Sequence, residues 1–252
     1  MTGLLRVEAL VKSFDGFQAI NRVDLQIQAG ILTSIIGPNG AGKTTLINLI
    51  TGKINPDAGR VYLDNTEITR LPIHERIKKG ISRSFQIGDI FPRLTVFQNI
   101  QLPVFARLGY AASPLASRER FLEANEEIEE IMHDVGLWDQ KSQPAGALSH
   151  GDKRLLEIGM AIAPRPRLCF LDEPCAGMNP VEHRQVLDLI IRLAEERNLT
   201  FVIVEHDMDV VFSVSDRVVV MNKGEILADG TPDMIREHEG VREIYLGEEV
   251  LG

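Results

Sequence analysis

Residues able to hold and cleave a phosphate chain stand out first. Gly37, Gly42, Lys43 and Thr44 meet the spacing GxxxxGK[ST] inside GPNGAGKTT, residues 37–45. Glycines let a backbone curl until its amides converge on an anion, and a helix starting there adds the positive end of its dipole. The loop Gly37, Pro38, Asn39, Gly40, Ala41, Gly42, Lys43, Thr44 and Thr45 would wrap the β- and γ-phosphates of a nucleotide. Lys43 supplies a point charge, and the Thr44 hydroxyl is placed for Mg2+. An apolar strand, ILTSIIG, runs into the loop and a helix over 43–51 follows. That setting separates it from a chance glycine-rich turn.

A second group can do the chemistry. Asp172 and Glu173 end the apolar run Leu168 to Leu171. A strand delivering two carboxylates suits the C-terminal edge of a parallel sheet, where phosphate ligands bind. Asp172 would hold Mg2+, directly or through water, and Glu173 would polarise the attacking water. His206 closes another apolar strand, FVIVE; it either touches the γ-phosphate and orients the water or is structural. Gln86, in SFQ, either bonds Mg2+ or the attacking water or stands as an ordinary exposed amide. Phe14 lies 23 residues before the loop. It either stacks on adenine with its flat face or fills a core or strand-end position.

These side chains need a scaffold. Leu5, Val7 and Ala9 alternate onto one face, and Val23, Leu25 and Ile27 onto another, as in half-buried strands. Ala29-Gly30 makes a turn, and GRVYLDNTEI reads as a hairpin turning at Asp64-Asn65. From about Leu94 the pattern becomes helical. Thr95 and Gln98 fit a capping box. Phe121, Ile128, Ile131, Met132 and Val135 recur at helical spacing, beside the glutamates 123, 126, 127, 129 and 130, which read as a solvated acidic face. Gly109 to Ser117 is a loop of small residues. Ser149 can cap a helix that Pro164 and Pro166 end. Strand LCFLD, a helix over 181–197, strand FVIVEHD and the strand-turn-strand RVVVMNKGEILADG follow. Strands alternating with helices predict an α/β fold with a mostly parallel sheet.

The 252 residues, 44% hydrophobic, suffice for one sizeable domain. A formal net charge of −9 disfavours general nucleic-acid binding, because phosphates would be repelled. Cys169 and Cys175 stand six apart, with no CxxC, and read as reduced thiols of a cytosolic protein. No apolar run reaches the roughly 18 residues that span a bilayer. Arg6, Glu8 and Lys12 interrupt the N-terminal apolar residues, so this segment does not read as a signal peptide. A membrane role would need a separate embedded partner.

GPNGAGKTT, SFQ, LSHGDKR, LCFLDEP, AGMNP and EHD occur in the order and spacing of ABC transporter ATP-binding subunits. The resemblance runs from about Leu4 to Leu246, and the combination is far more specific than any single motif. It implies a P-loop (RecA-like) core with an N-terminal antiparallel β subdomain and an inserted α-helical subdomain. The boundaries would be 1–94 and 164–235 for the core with its β subdomain, 95–163 for the helical subdomain and 236–252 for a tail. It implies ATP and Mg2+, sandwiched between two such subunits of the same or different kind. Ser149 and Gly151 would then contact the γ-phosphate held by the opposite subunit. Ala176 to Asn179 would cross the dimer interface, and Gln86 would couple the nucleotide to a membrane partner. The implied catalytic set is Glu173, His206 and Lys43.

GPNGAGKTTLINLITG, AGMNP, VEHDM and REIYLGEE resemble the branched-chain amino acid importers, while LSHG and EIGM are also similar to urea and short-amide importers. The resemblance implies transmembrane permease subunits, an external solute-binding protein and a peripheral position on the cytoplasmic face of the membrane. The alternatives are a urea or short-amide importer and a soluble ABC ATPase outside transport. Two departures from the usual LSGGQ stand out. His150 replaces a glycine, and Asp152 replaces the glutamine and adds negative charge near an anion, which Lys153 and Arg154 stand close enough to offset. Asn179 replaces a more usual aspartate.

Overall fold

The computed structural model describes residues 3–84, 90–110, 118–206 and 208–249. The chain divides into two compact units, 1–76 with 199–252, and 77–198.

The first unit opens with β1 (Leu5–Phe14) and β2 (Phe17–Ile27), then β3 (Thr33–Ile36), α1 (Lys43–Thr51), β4 (Ala58–Leu63) and β5 (Thr66–Glu67). The strands β2-β1-β4-β5 form an antiparallel sheet in that order. The expected alternation holds for buried Leu5 and Val7 and breaks at Ala9. Ala9 is exposed with φ of 42°, and Leu10 takes the buried place. The register slips here against both β2 and β4. One extra residue in a strand sends every later side chain to the opposite face, so the pattern resumes one position late. The hairpin of β4 and β5 turns at Asp64 and Asn65, whose φ of 46° and 63° are those of a primed turn.

α2 (Ile73–Lys78) runs across the boundary between the units, and the chain returns to the first unit at β8 (Thr200–Val204). α7 (Met208–Val214), β9 (Arg217–Asn222), β10 (Glu225–Gly230), α8 (Pro232–Glu237) and α9 (Glu239–Glu249) complete it. β3 pairs in parallel with β8 on one side and β9 on the other, as the alternation of strands and helices predicts. β8 stops at Val204, so Glu205 and His206 lie just past the strand. Fully buried Arg76 closes the far end of α1. It donates to the carbonyls of Leu49 and Ile50 at 2.7 and 2.6 Å, and to Thr69 and Leu71. Burial pushes its pKa down to about 10, which leaves it charged at neutral pH.

The second unit holds β6 (Ile81–Arg83), α3 (Val96–Leu108), α4 (Arg118–Asp134), α5 (His150–Ile162), β7 (Leu168–Asp172) and α6 (Pro180–Arg197). β6 and β7 are parallel, with Arg83 opposite Phe170. The capping box is present: Thr95 Oγ1 accepts the Gln98 amide at 3.1 Å and Gln98 Oε1 accepts the Thr95 amide at 2.9 Å. Ile128, Ile131, Met132 and Val135 are buried, whereas Phe121 is exposed and stacks on Tyr110 at 5.1 Å. The acidic face is not solvated throughout. Glu127 is buried and takes both Arg107 and Arg165, because its position on α4 falls on the inward stripe with Ile128 and Ile131. The small-residue loop from Gly109 keeps only its first two residues within the described part, Gly109 at φ of 73° closing α3. Cys169 and Cys175 are both buried and unlinked, and burial pushes the Cys169 thiol up to about 12.

Candidate active site

In the first unit the phosphate loop leaves the C-terminal end of β3. Gly37 has φ of 148°, and a side chain there would meet the Met221 carbonyl at 2.1 Å. Gly42 has φ of 102°, with the Ala19 carbonyl 2.6 Å from where a Cβ would stand. Both glycines are therefore demanded by backbone conformation and by close packing together. Gly42 is also the cap of α1 and offers no side-chain acceptor, and the first turn carries no acidic residue. Nothing in the cap itself competes with an anion at the start of α1. Lys43 Nζ donates to the Gly37 carbonyl and, at 3.0 Å, to that of Pro38, which suspends the ammonium over the loop. Asn39, Gly40 and Thr44 are exposed, Pro38 and Thr45 half-buried, and Ala41 is buried with its carbonyl bonded to the Gly224 amide at 3.0 Å.

His206 follows β8, whose Val204 is opposite Ile35 of β3, so both chains leave the sheet at one edge. Its ring is 66% exposed, and Nδ1 lies 4.0 Å from buried Glu205. Phe14 ends β1 opposite Phe17 and is 44% exposed, so it is a strand-end ring and not a core one. Lys12 Nζ sits 5.4 Å from its centroid while paired with Asp57 at 2.7 Å. Lys12 and the Ser13 amide hold the Asp57 carboxyl below the usual carboxylate range.

In the second unit Asp172 is the last residue of β7 and is buried; Glu173 follows, exposed, with φ of 46°. A left-handed backbone is costly for a glutamate and persists only where neighbours over-determine it. Arg154 of α5 does so. It donates Nε to the Pro174 carbonyl at 3.0 Å and Nη2 to the carbonyls of Asp172, at 2.6 Å, and Glu173. Its remaining Nη1 pairs with buried Glu157 at 2.5 Å. Arg154 is thus committed to the backbone after β7 and is not available to offset Asp152, against the expectation from proximity in sequence. Arg83 pairs with the Asp172 carboxylate at 2.5 Å.

Ser149 caps α5, its Oγ accepting the Asp152 amide at 3.0 Å. Gly151 is buried, and a side chain there would meet Glu182 Oε1 at 3.0 Å. His150 is exposed and its Nε2 lies 3.2 Å from the Ala176 carbonyl, so the extra side chain ties the start of α5 to the turn after Glu173. Asp152 Oδ2 receives Gln140 Nε2 at 3.3 Å. Asn179 is the cap of α6: its Oδ1 accepts the amides of Val181 and Glu182 at 2.9 and 3.1 Å, and Glu182 returns a bond to its own amide. The sequence signal was there, an Asn-Pro-x-Glu start, since asparagine caps as well as aspartate does. Gln86 lies outside the described residues, and no cluster of three His, Cys, Asp or Glu able to hold a metal is found among the described ones. No helix among them is long and apolar enough to cross a membrane.

Known proteins resemble this chain in sequence and in fold. The model of the ABC transporter family matches residues 20–176, and that of the branched-chain amino acid ATP-binding cassette transporter matches 225–250. The high-affinity branched-chain amino acid transport ATP-binding protein BraF of Pseudomonas aeruginosa is 40% identical over 97% of this chain and 98% of its own length. An ATP-binding cassette of an ABC transporter, solved in its ADP conformation, superposes with a TM-score of 0.85 at 33% identity over 98% of this chain and 100% of that one. A dimeric cassette in a post-hydrolysis state, bound to ADP and Pi, gives 0.77 at 26% identity over 90% and 98%. A phosphate loop on a parallel sheet, two carboxylates at a strand end and full-length similarity to such cassettes agree: the chain belongs to the ATP-binding subunits of ABC transporters and is an ATPase.

Proposed function

We propose that this subunit energises import of branched-chain amino acids. The supporting observation is similarity at both ends: 40% identity to BraF along nearly the whole chain and a C-terminal match to the branched-chain cassette model. In this reading two ATP-binding subunits close on two ATP molecules and drive separate permease subunits from the cytoplasmic face of the membrane. A solute-binding protein delivers the substrate. The likeness to a dimeric cassette supports the pairing.

The reaction is in-line attack of water on the γ-phosphate. The loop amides from Gly37 to Thr45, the N-terminal end of α1 and Lys43 meet the charge that spreads over the phosphoryl oxygens. Glu173 accepts a hydrogen bond from the water and takes its proton, and His206 fixes the water's orientation. Thr44 and Asp172 are hard oxygen donors, one an exposed hydroxyl and one a buried carboxylate, and such donors fit Mg2+. When bound with the nucleotide, the metal neutralises phosphate charge. Phe14 offers an exposed ring for adenine, and Ser149 and Gly151 approach the nucleotide of the opposite subunit.

The test is ATP-driven uptake of labelled leucine by proteoliposomes holding this subunit with its permease subunits and binding protein. Leucine accumulates with the native chain. Glu173→Gln still binds ATP, but uptake and turnover drop by roughly 100-fold or more, the scale of a lost general base. Near-native turnover in that variant would refute the role of Glu173. Uptake of urea in place of leucine would move the assignment to the short-amide importers.

A further inference from the structure

The carboxylate assigned to Mg2+ comes with a cation of its own. Arg83 ends β6, and its Nη2 donates to Asp172 Oδ2 at 2.5 Å. Both groups are sheltered, Arg83 being 17% and Asp172 6% exposed. The backbone around the pair is fixed as well. Ser84 donates its amide to the Phe170 carbonyl at 2.7 Å, and its Oγ accepts the Asp172 amide at 3.3 Å. Arg154 holds the Asp172 carbonyl from the other side. The backbone of Asp172 is therefore held at both its amide and its carbonyl, and its carboxylate meets Arg83 from the neighbouring strand.

A buried carboxylate without a counter-ion is costly, and Arg83 supplies one. Mg2+ asks for the same oxygens. It keeps a strict geometry and sheds water reluctantly. A guanidinium and a divalent cation on one sheltered carboxylate also repel each other strongly, since solvent screens them poorly. We propose that Arg83 is a built-in counter-ion that competes with Mg2+ for Asp172 and thereby sets the metal concentration at which the nucleotide is held with its metal. Arg83 is a positioning residue for the hydrolysis, and the proposal rests on Asp172 being the Mg2+ ligand.

The experiment measures binding without turnover. In the Glu173→Gln chain, binding of trinitrophenyl-ATP is followed by fluorescence while MgCl2 is titrated, with EDTA giving the metal-free baseline. Arg83→Gln is expected to lower the half-saturating Mg2+ by about tenfold, the scale of one charge-assisted hydrogen bond. Arg83→Lys keeps the charge without the planar fork, guards against a misfolded glutamine variant, and should lower it by about threefold. Asp172→Asn should raise the half-saturating Mg2+ and abolish any further effect of Arg83→Gln. If Asp172→Asn leaves the metal dependence unmoved, Asp172 is not the ligand and the underlying reading fails. If Asp172→Asn raises it but the Arg83 variants leave it unchanged or raise it too, Arg83 is only a structural partner and the competition is overturned.

Discussion

The starts of α1 and α5 look alike in sequence, each a short polar turn opening a helix, yet the structure builds them to opposite ends. α1 is capped by Gly42, which accepts nothing through a side chain, and its first turn is free of carboxylates. No side-chain cap and no carboxylate of its own first turn competes for its positive end, and Lys43 adds a full charge. α5 is capped by Ser149, which already takes one of its amides, and Asp152 sits in its first turn. Part of its positive end is spent within the chain. A glycine cap leaves a helix in want of an anion, and a serine cap with an acidic first turn leaves one nearly satisfied. α1 can thus hold phosphate on its own. α5 is suited to a supplementary contact, such as the nucleotide of a second subunit, and its other task is to carry Arg154 to the backbone of Glu173.

The largest expected effect tests that other task. Arg154→Ala strips the donors from three carbonyls and breaks the buried ion pair with Glu157, a loss of about 3–5 kcal/mol by the behaviour of broken buried pairs. In a chain of this size the melting temperature, followed by circular dichroism, should fall by roughly 10 °C. A melting point unchanged within a degree or two would show that α5 does not support the loop after β7. Next comes Lys43→Ala, which removes the charge of α1. Nucleotide affinity measured by calorimetry should weaken by about 10- to 100-fold, the worth of hydrogen bonds to a charged group. Retained affinity would mean that the backbone alone carries the site. Smallest is Ser149→Ala, expected to cost about 1 kcal/mol of stability as a lost cap. ATP binding by the single chain should stay as it was; any marked loss there would erase the contrast between the two helices.

How much of this was legible along the chain depends on range. The phosphate loop, the helix over 43–51, the strand LCFLD and the Thr95 capping box were readable because each is fixed by neighbours within a turn or two. The bulge at Ala9 was not, because alternation alone does not reveal where an extra residue enters a strand. Burial of Glu127 was hidden among identical letters; only the packing of α4 singles it out. The task of Arg154 was misread, since nearness to Asp152 in sequence suggested a partner that tertiary contact replaced.

Residue types and spacing by themselves singled out the glycine loop with Lys43 and Thr44 and the pair Asp172 and Glu173 as groups suited to phosphate and water, while the readings of the histidine after FVIVE and of the LSHGD turn leaned on the family resemblance. They determined the α/β alternation too, because hydrophobic period is a local property. The tertiary structure alone decided which groups are already engaged. Arg83 reaches Asp172 across 89 residues of sequence, and Arg154 reaches the carbonyls 18 to 20 residues beyond it. A buried charge must find its counter-charge wherever the fold brings one, and that choice is made by packing in space, which no local pattern records.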